Sequence, residues 1–208
     1  VMSLLQLRNG NILVGTDNDG VYKLLSSTDM KAIGHWVAGN NSVPRTTLSI
    51  FEDSRGDIYF GGYLGGLVRL NKKDNRFEKI NLDGSPKPSS PSIYSIVEDA
   101  HQNIYVAAAS IGIYRIDSTR RNIKLYSPQA NASDPSTNSM RNAWITCLFL
   151  RDSKLYFGTY DGLGCLDLET ESFIETFGAN SLFNGAVVYA LCDDYQGQLW
   201  IGTSAGLI

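Results

Sequence analysis

Basic runs, long apolar runs and paired cysteines are all missing from this 208-residue chain, and each absence removes a class of protein. No apolar stretch approaches the roughly 20 residues that a membrane-spanning helix needs. Val1 to Leu7 reads as a strand, without the charged head and apolar core of a secretion signal. Lysine and arginine total 18 against 21 acidic residues, for a net charge of -3. No basic cluster could neutralise a row of phosphates, so no nucleic-acid contact is expected of this segment. Three cysteines, Cys147, Cys165 and Cys192, form neither a disulfide framework nor a zinc pattern. Only two histidines occur, His35 and His101, in unrelated contexts, which argues against a catalytic triad or a histidine metal site.

What the chain does contain is repetition. Gly10 to Thr16, Gly56 to Gly62, Gln102 to Ala108, Ser153 to Thr159 and Gly197 to Thr203 each read as a polar turn, an apolar triplet and a small residue. The small residues are Gly15, Gly61, Ala107, Gly158 and Gly202, spaced by 46, 46, 51 and 44 residues. A strand-patterned period of about 40–50 residues belongs to propeller blades. Each copy predicts four strands: a run before the turn, the triplet, a run after the next glycine, and a polar outer run such as Phe77 to Ile80. The triplets are apolar on both faces, as in strands buried between two sheets.

The expected fold is therefore all-β, a β-propeller of four-stranded antiparallel blades. The blades are expected at about 1–47, 48–92, 93–143 and 144–186, with half a blade at 187–208, all in one domain. That count makes an incomplete ring, and the chain reads as part of a longer protein. A β-helix is the weaker alternative, because its repeats are shorter. One slot of the first strand reads Ser3, Ser49, Ser95, Thr146, Ala190, small side chains suited to crowding near an axis. By the same alignment Cys147 and Cys192 fall in core slots, and Cys165 falls where Lys23, Arg69 and Arg115 stand, a partly exposed position.

Val187 to Leu207, with Asp193-Asp194, Gly197 and Leu199-Trp200-Ile201-Gly202-Thr203, makes a full repeat core, and Ser133 to Met140 leads into the copy before it. These residues resemble the two-component regulator propeller repeats of Bacteroidetes hybrid sensor kinases. The third copy departs with Ala107-Ala108, and the fourth lacks the acidic pair. The resemblance implies a periplasmic, non-catalytic sensor region of a membrane-anchored parent. It also implies a ligand derived from a poly- or oligosaccharide, with the kinase and regulator outside this chain. Partners implied are the remaining blades of the parent and a second copy in a homodimer.

Repetition also separates architecture from function. The acidic pairs Glu52-Asp53, Glu98-Asp99 and Asp193-Asp194 recur at one slot before a turn and read as turn-formers, not catalytic carboxylates. Asp17-Asn18-Asp19-Gly20 lacks the far glutamate of a calcium loop and reads as a polar hairpin. No catalytic residue, metal ligand or cofactor is expected. Polar and aromatic residues that vary between copies gather in the loops between second and third strands and in those leading into each first strand. They are Asp17, Asp19, Arg45, Tyr63, Arg141, Asn142, Trp144, Tyr160 and Asp161, with Asn40, Asn41 and Asn184 nearby. Rings that cover C–H faces beside groups that bond hydroxyls suit a sugar. The alternatives are a propeller enzyme, such as a polysaccharide lyase or glycosidase, and a protein-interaction propeller.

Overall fold

The computed structural model describes residues 1–26, 28–29, 31–39, 42–86, 89–128, 140, 142–174, 185–194 and 196–208. They contain nineteen strands and no helix. They divide into two compact units, Val1–Gln102 and Asn103–Ile208.

In the first unit, β1 (Ser3–Gln6), β2 (Ile12–Gly15), β3 (Val21–Leu24) and β4 (Ala32–Trp36) form one antiparallel sheet in chain order. A second follows the same plan: β5 (Thr47–Glu52), β6 (Ile58–Gly62), β7 (Gly66–Asn71) and β8 (Arg76–Ile80). The first strand of the third repeat, β9 (Ile93–Glu98), completes this unit. The second unit holds β10 (Ile104–Ala108), β11 (Gly112–Ile116) and β12 (Ile123–Tyr126). It continues with the sheet β13 (Ile145–Arg151), β14 (Lys154–Thr159), β15 (Gly162–Asp167) and β16 (Ser172–Ile174). It ends with β17 (Val188–Asp193), β18 (Leu199–Thr203) and the short β19 (Gly206–Leu207). Successive meanders of this kind are the blades of a β-propeller.

Neighbouring blades are joined by a bond that recurs. Ser3 Oγ donates to the Thr47 carbonyl at 2.9 Å, and Ser49 Oγ donates to the Ile93 carbonyl at 3.1 Å. In the second unit Thr146 Oγ1 donates to the Val188 carbonyl. Ser3, Ser49 and Thr146 are thus hydroxyl donors as well as space-savers, each satisfying a carbonyl on the next first strand. The glycine opposite is there because the hydroxyl lies beneath it. A methyl built on Gly61 would stand 2.7 Å from Ile93 Cγ2 and against Ser49 Oγ.

Apolar packing fills the space between the first two sheets. Leu13, Val21, Phe60 and Val43 are fully or almost fully buried, with Trp36 and Phe77 packed on them. Strands β6 and β10 are buried along their whole length, as their two-sided apolar triplets require.

The acidic pairs divide their labour. Asp53 closes its own turn, accepting from the N–H groups of Arg55 and Asp57 at 3.0 and 2.9 Å. Asp194 does the same for Gln196 and Gln198. The glutamates instead reach the previous blade. Glu52 accepts from Arg8 N–H at 2.8 Å, and Glu98 accepts from the backbone and hydroxyl of Ser54 at 2.6 and 2.9 Å.

Three sequence expectations need correction. Strand register pairs Cys147 with Gly158, as it pairs Ser49 with Gly61, so Cys147 occupies the serine slot and Leu148 the core slot. The cause is a hairpin between β13 and β14 shorter by one residue, with Asp152 at φ 53. The slot then holds a thiol, and the neighbouring Thr146 makes the bond to the Val188 carbonyl. Cys165 is buried, because Leu163 to Leu166 form an apolar third strand. Cys192 is exposed, because the described residues place no side chain over that part of β17.

Further aspartates hold the turns between third and fourth strands. Hydrogen bonds from the Asn122 amide and the Thr119 hydroxyl, with backbone N–H groups behind them, hold the Asp117 carboxyl far below the usual range. Thr170 does the same for Asp167, chiefly through its backbone N–H. A depressed folded pKa contributes stability above the unfolded value of about 4, lost as pH falls through the folded value. The thermal midpoint is therefore expected to be insensitive to these groups from pH 7 to about 5 and to decline below about 4. Asp117→Asn should lower the midpoint at pH 7 and flatten that acid limb. A midpoint series against pH for both proteins is the check.

Candidate functional site

Two groups of loop residues are assembled, one in each unit. In the first, the β2–β3 turn, the lead-in loop to β5 and the β6–β7 turn converge on Thr46. Its hydroxyl donates to Asp17 Oδ1 at 2.9 Å and accepts from Asn18 N–H at 3.1 Å, and its carbonyl accepts from Tyr63 N–H at 3.0 Å. The Arg45 carbonyl accepts from Gly20 N–H, and its guanidinium reaches Asn18 Oδ1 at 3.5 Å. Left-handed Asn18 and Gly20, at φ 72 and 67, make this tight turn possible. Pro44 is seated over Gly62, where an added Cβ would stand 2.5 Å from the proline Cβ and displace it, and lies close to Gly65. Asp17, Arg45 and Tyr63 are thus held as one patch, with the Tyr63 side chain well exposed.

Asp19 points elsewhere. Its carboxylate accepts from Tyr22 Oη at 2.6 Å, and its carbonyl accepts from His35 Nε2 at 2.7 Å. The Tyr22 and His35 rings stack at 4.0 Å. The bond to Asp19, then burial and the nearby negative charge, raise the Tyr22 pKa. Asp19 therefore braces the turn against β4.

Beside this patch lies a cavity of about 600 Å³, lined in part by Ser42, Val43, Arg45, Val68 and Lys79. Lys79 Nζ donates to Ser90 Oγ at 2.7 Å. Thr46 and Lys79 were not singled out by sequence. Thr46 could have been, since it is a polar side chain beside Arg45 in a lead-in loop.

The second unit carries an aromatic platform. Trp144, from the loop leading into β13, and Tyr160, from the β14–β15 turn, stack with centroids 5.3 Å apart and planes 19° from parallel. Both rings are nearly half exposed, at 44% and 48%. Asn142 Oδ1 accepts from Trp144 N–H at 2.8 Å, which leaves the amide N–H groups of Asn142 as donors. Thr159 Oγ1 accepts from Asp161 N–H at 3.0 Å and donates to the Gly162 carbonyl at 2.9 Å, fixing the turn that presents Tyr160 and Asp161. Asn142, Trp144, Tyr160 and Asp161 are therefore brought together. Arg141, Asn40, Asn41 and Asn184 lie outside the described residues. No group of three His, Cys, Asp or Glu suited to a metal occurs among the described residues.

The last repeat supplies the sequence link. It has the turn-closing Asp194, the left-handed Gly197 at φ 79 and Trp200, whose indole donates to Asp194 Oδ2 at 3.1 Å. Residues 181–205 match the two component regulator propeller. This regulator-propeller match covers one copy; the second repeat closes its turn in the same way, with Asp53 in the place of Asp194. No curated protein matches the chain. Solved structures match along nearly all of its length. One is the extracellular domain assigned to the hybrid two component system BT3049 from B. thetaiotaomicron, with TM-score 0.74 and 22% identity over 100% of this chain and 26% of that one. Two structures of the extracellular domain of BT4673 from the same organism give TM-scores of 0.77 and 0.72. They are 16% and 17% identical over 99% and 97% of this chain. One is described as a one component system and the other as a hybrid two component system. At such identity the likeness establishes the fold. The chain spans 26–29% of the length of these structures.

Proposed function

We propose that the chain is a non-catalytic, extracytoplasmic sensor segment of a two-component signalling protein, placed in the periplasm of a membrane-anchored parent. It binds a poly- or oligosaccharide-derived ligand, and kinase and regulator regions elsewhere in the parent read the result. The regulator-propeller match and the described neighbours support the signalling part of this reading. The observation that carries the ligand class is the Trp144–Tyr160 platform flanked by Asn142 and Asp161. Two exposed rings at one orientation offer a face to sugar C–H groups, while an amide and a carboxylate at the edge pair with hydroxyls. The patch of Asp17, Arg45 and Tyr63 offers the same mixture in the first unit.

Isothermal titration of the intact sensor against an oligosaccharide panel tests this reading. Trp144→Ala and Tyr160→Ala are each expected to weaken the bound glycan about tenfold or more, the range of an aromatic anchor. Unchanged affinity in both variants would remove the platform from the binding site. Accumulation of cleaved glycan in place of stable binding would favour the lyase or glycosidase alternative.

A further inference from the structure

Between the first two sheets, the β1–β2 turn and the end of the β7 strand enclose a cleft of about 450 Å³ that none of the candidate ligand residues touches. Its apolar lining includes Leu7, Ile58 and Leu70, all buried, and the partly buried Trp36. Trp36 is held edge-on by Phe60 and Phe77, at 5.8 and 5.6 Å between centroids. Around the cleft stand three cations, Arg8, Lys23 and Lys72, and one carboxylate, Glu52. One Glu52 oxygen is already engaged by Arg8 N–H.

The repeat shows what is unusual about Lys23. It pairs in register with Leu13 of the triplet, the place that Arg69 and Arg115 take in the next two repeats. Arg69 is neutralised twice, by Glu78 directly across the strand pair at 2.6 Å and by Asp57 at 3.7 Å. Arg115 is neutralised by Glu171. In the first repeat the residue across from Lys23 is Gly34, and the residue in the place of Asp57 is Asn11. Both acids have been replaced by uncharged residues while the cation stays. No carboxylate among the described residues pairs with Lys23, Lys72 or the Arg8 guanidinium.

We propose that this cleft binds a small organic acid, its carboxylate lying between Lys23 and Lys72 and its apolar body against Trp36, Ile58 and Leu70. A half-buried cation beside an apolar floor favours an anion over a neutral ligand, since the low dielectric of the wall strengthens their attraction. The volume suits a molecule of metabolite size. The site is separate from the proposed glycan loops and does not rest on that function.

The test uses 2-naphthoate and its uncharged counterpart 2-naphthamide as probes on the full chain. Binding is read from the Trp36 indole N–H resonance, which is assigned by its loss in Trp36→Phe. 2-Naphthoate is expected to shift that resonance with a Kd on the order of 1 mM, the strength a ligand of this size reaches. 2-Naphthamide should bind about tenfold more weakly or worse. The double variant Lys23→Gln/Lys72→Gln should lose about the same factor for naphthoate and leave the amide unaffected. Lys72→Gln alone, at an exposed position, guards against a folding defect and should show part of the loss. The proposal is overturned if naphthoate fails to move Trp36, if the amide binds as well as the acid, or if the lysine variants bind naphthoate unchanged.

Discussion

Phe60→Ala is expected to destabilise the protein by about 4 kcal/mol, the range for removing a wholly buried phenylalanine. Phe60 has no exposed surface and stands at the centre of the cluster shared by the first two sheets. Its ring meets Trp36 edge-to-face and lies 6.0 Å from Phe77, so alanine would cost both area and two aromatic contacts. Trp36 and Phe77 stand on the outer strands β4 and β8, and most of the other neighbours on inner strands of the two sheets, so the space can close only in part. At roughly 2–4 °C per kcal/mol for a chain of this size, the thermal midpoint should fall by about 8–16 °C. Leu4→Ala is the matching control. Leu4 is an aliphatic strand residue too, yet 65% of it is exposed, and the midpoint should move by no more than about 2 °C. A loss below about 1 kcal/mol for Phe60→Ala, measured by calorimetry, would contradict the packing described.

The second large effect concerns a single methyl group. Gly61→Ala places a carbon 2.7 and 2.8 Å from Ile93 Cγ2 and Cβ and against the Ser49 hydroxyl. Ile93 is wholly buried and its Cβ is fixed by the backbone, so little yields. Overpacking costs about 1–3 kcal/mol, and displacing Ser49 from the Ile93 carbonyl adds about 1 kcal/mol. Gly202→Ala is the contrast. Its nearest neighbour would be Ala190 Cβ at 3.6 Å, an ordinary contact. That substitution should be neutral or slightly stabilising, through reduced freedom of the unfolded chain. Urea unfolding of the two variants separates the effects, since the same exchange at the same repeat position should give opposite outcomes. The third repeat already carries Ala107 there, wholly buried. The slot thus accepts a methyl only where its neighbours are arranged for one.

Much of this fold is legible in the sequence, and the reasons are local. The period of the apolar triplets placed β2, β6, β10, β14 and β18 within a residue or two. The outer run Phe77 to Ile80 falls within one residue of β8, Arg76–Ile80. Turn aspartates such as Asp53 and Asp194 were legible because their partners lie two to four residues away. Glu52 and Glu98 were not, because their partners lie 44 residues back in the preceding blade. Copy-to-copy variation flagged Trp144 and Tyr160, but their stacking is set by two loops from different strands. The same criterion flagged Asp19, which the structure turns toward Tyr22 and His35.

Strand order and strand length were settled by the sequence itself, because alternation along an extended chain and the needs of tight turns act within a few residues. Two-sided burial of the triplet holds in β6 and β10, whereas Trp200 of β18 is exposed. Register was settled only by the tertiary structure. One residue fewer in the β13–β14 hairpin moved Cys147 into the serine slot and passed its hydrogen bond to Thr146. The tertiary structure also decided which charges meet. A cation's partner, whether Glu78 for Arg69 or no carboxylate among the described residues for Lys23, depends on distances across strands and between sheets that no local pattern encodes.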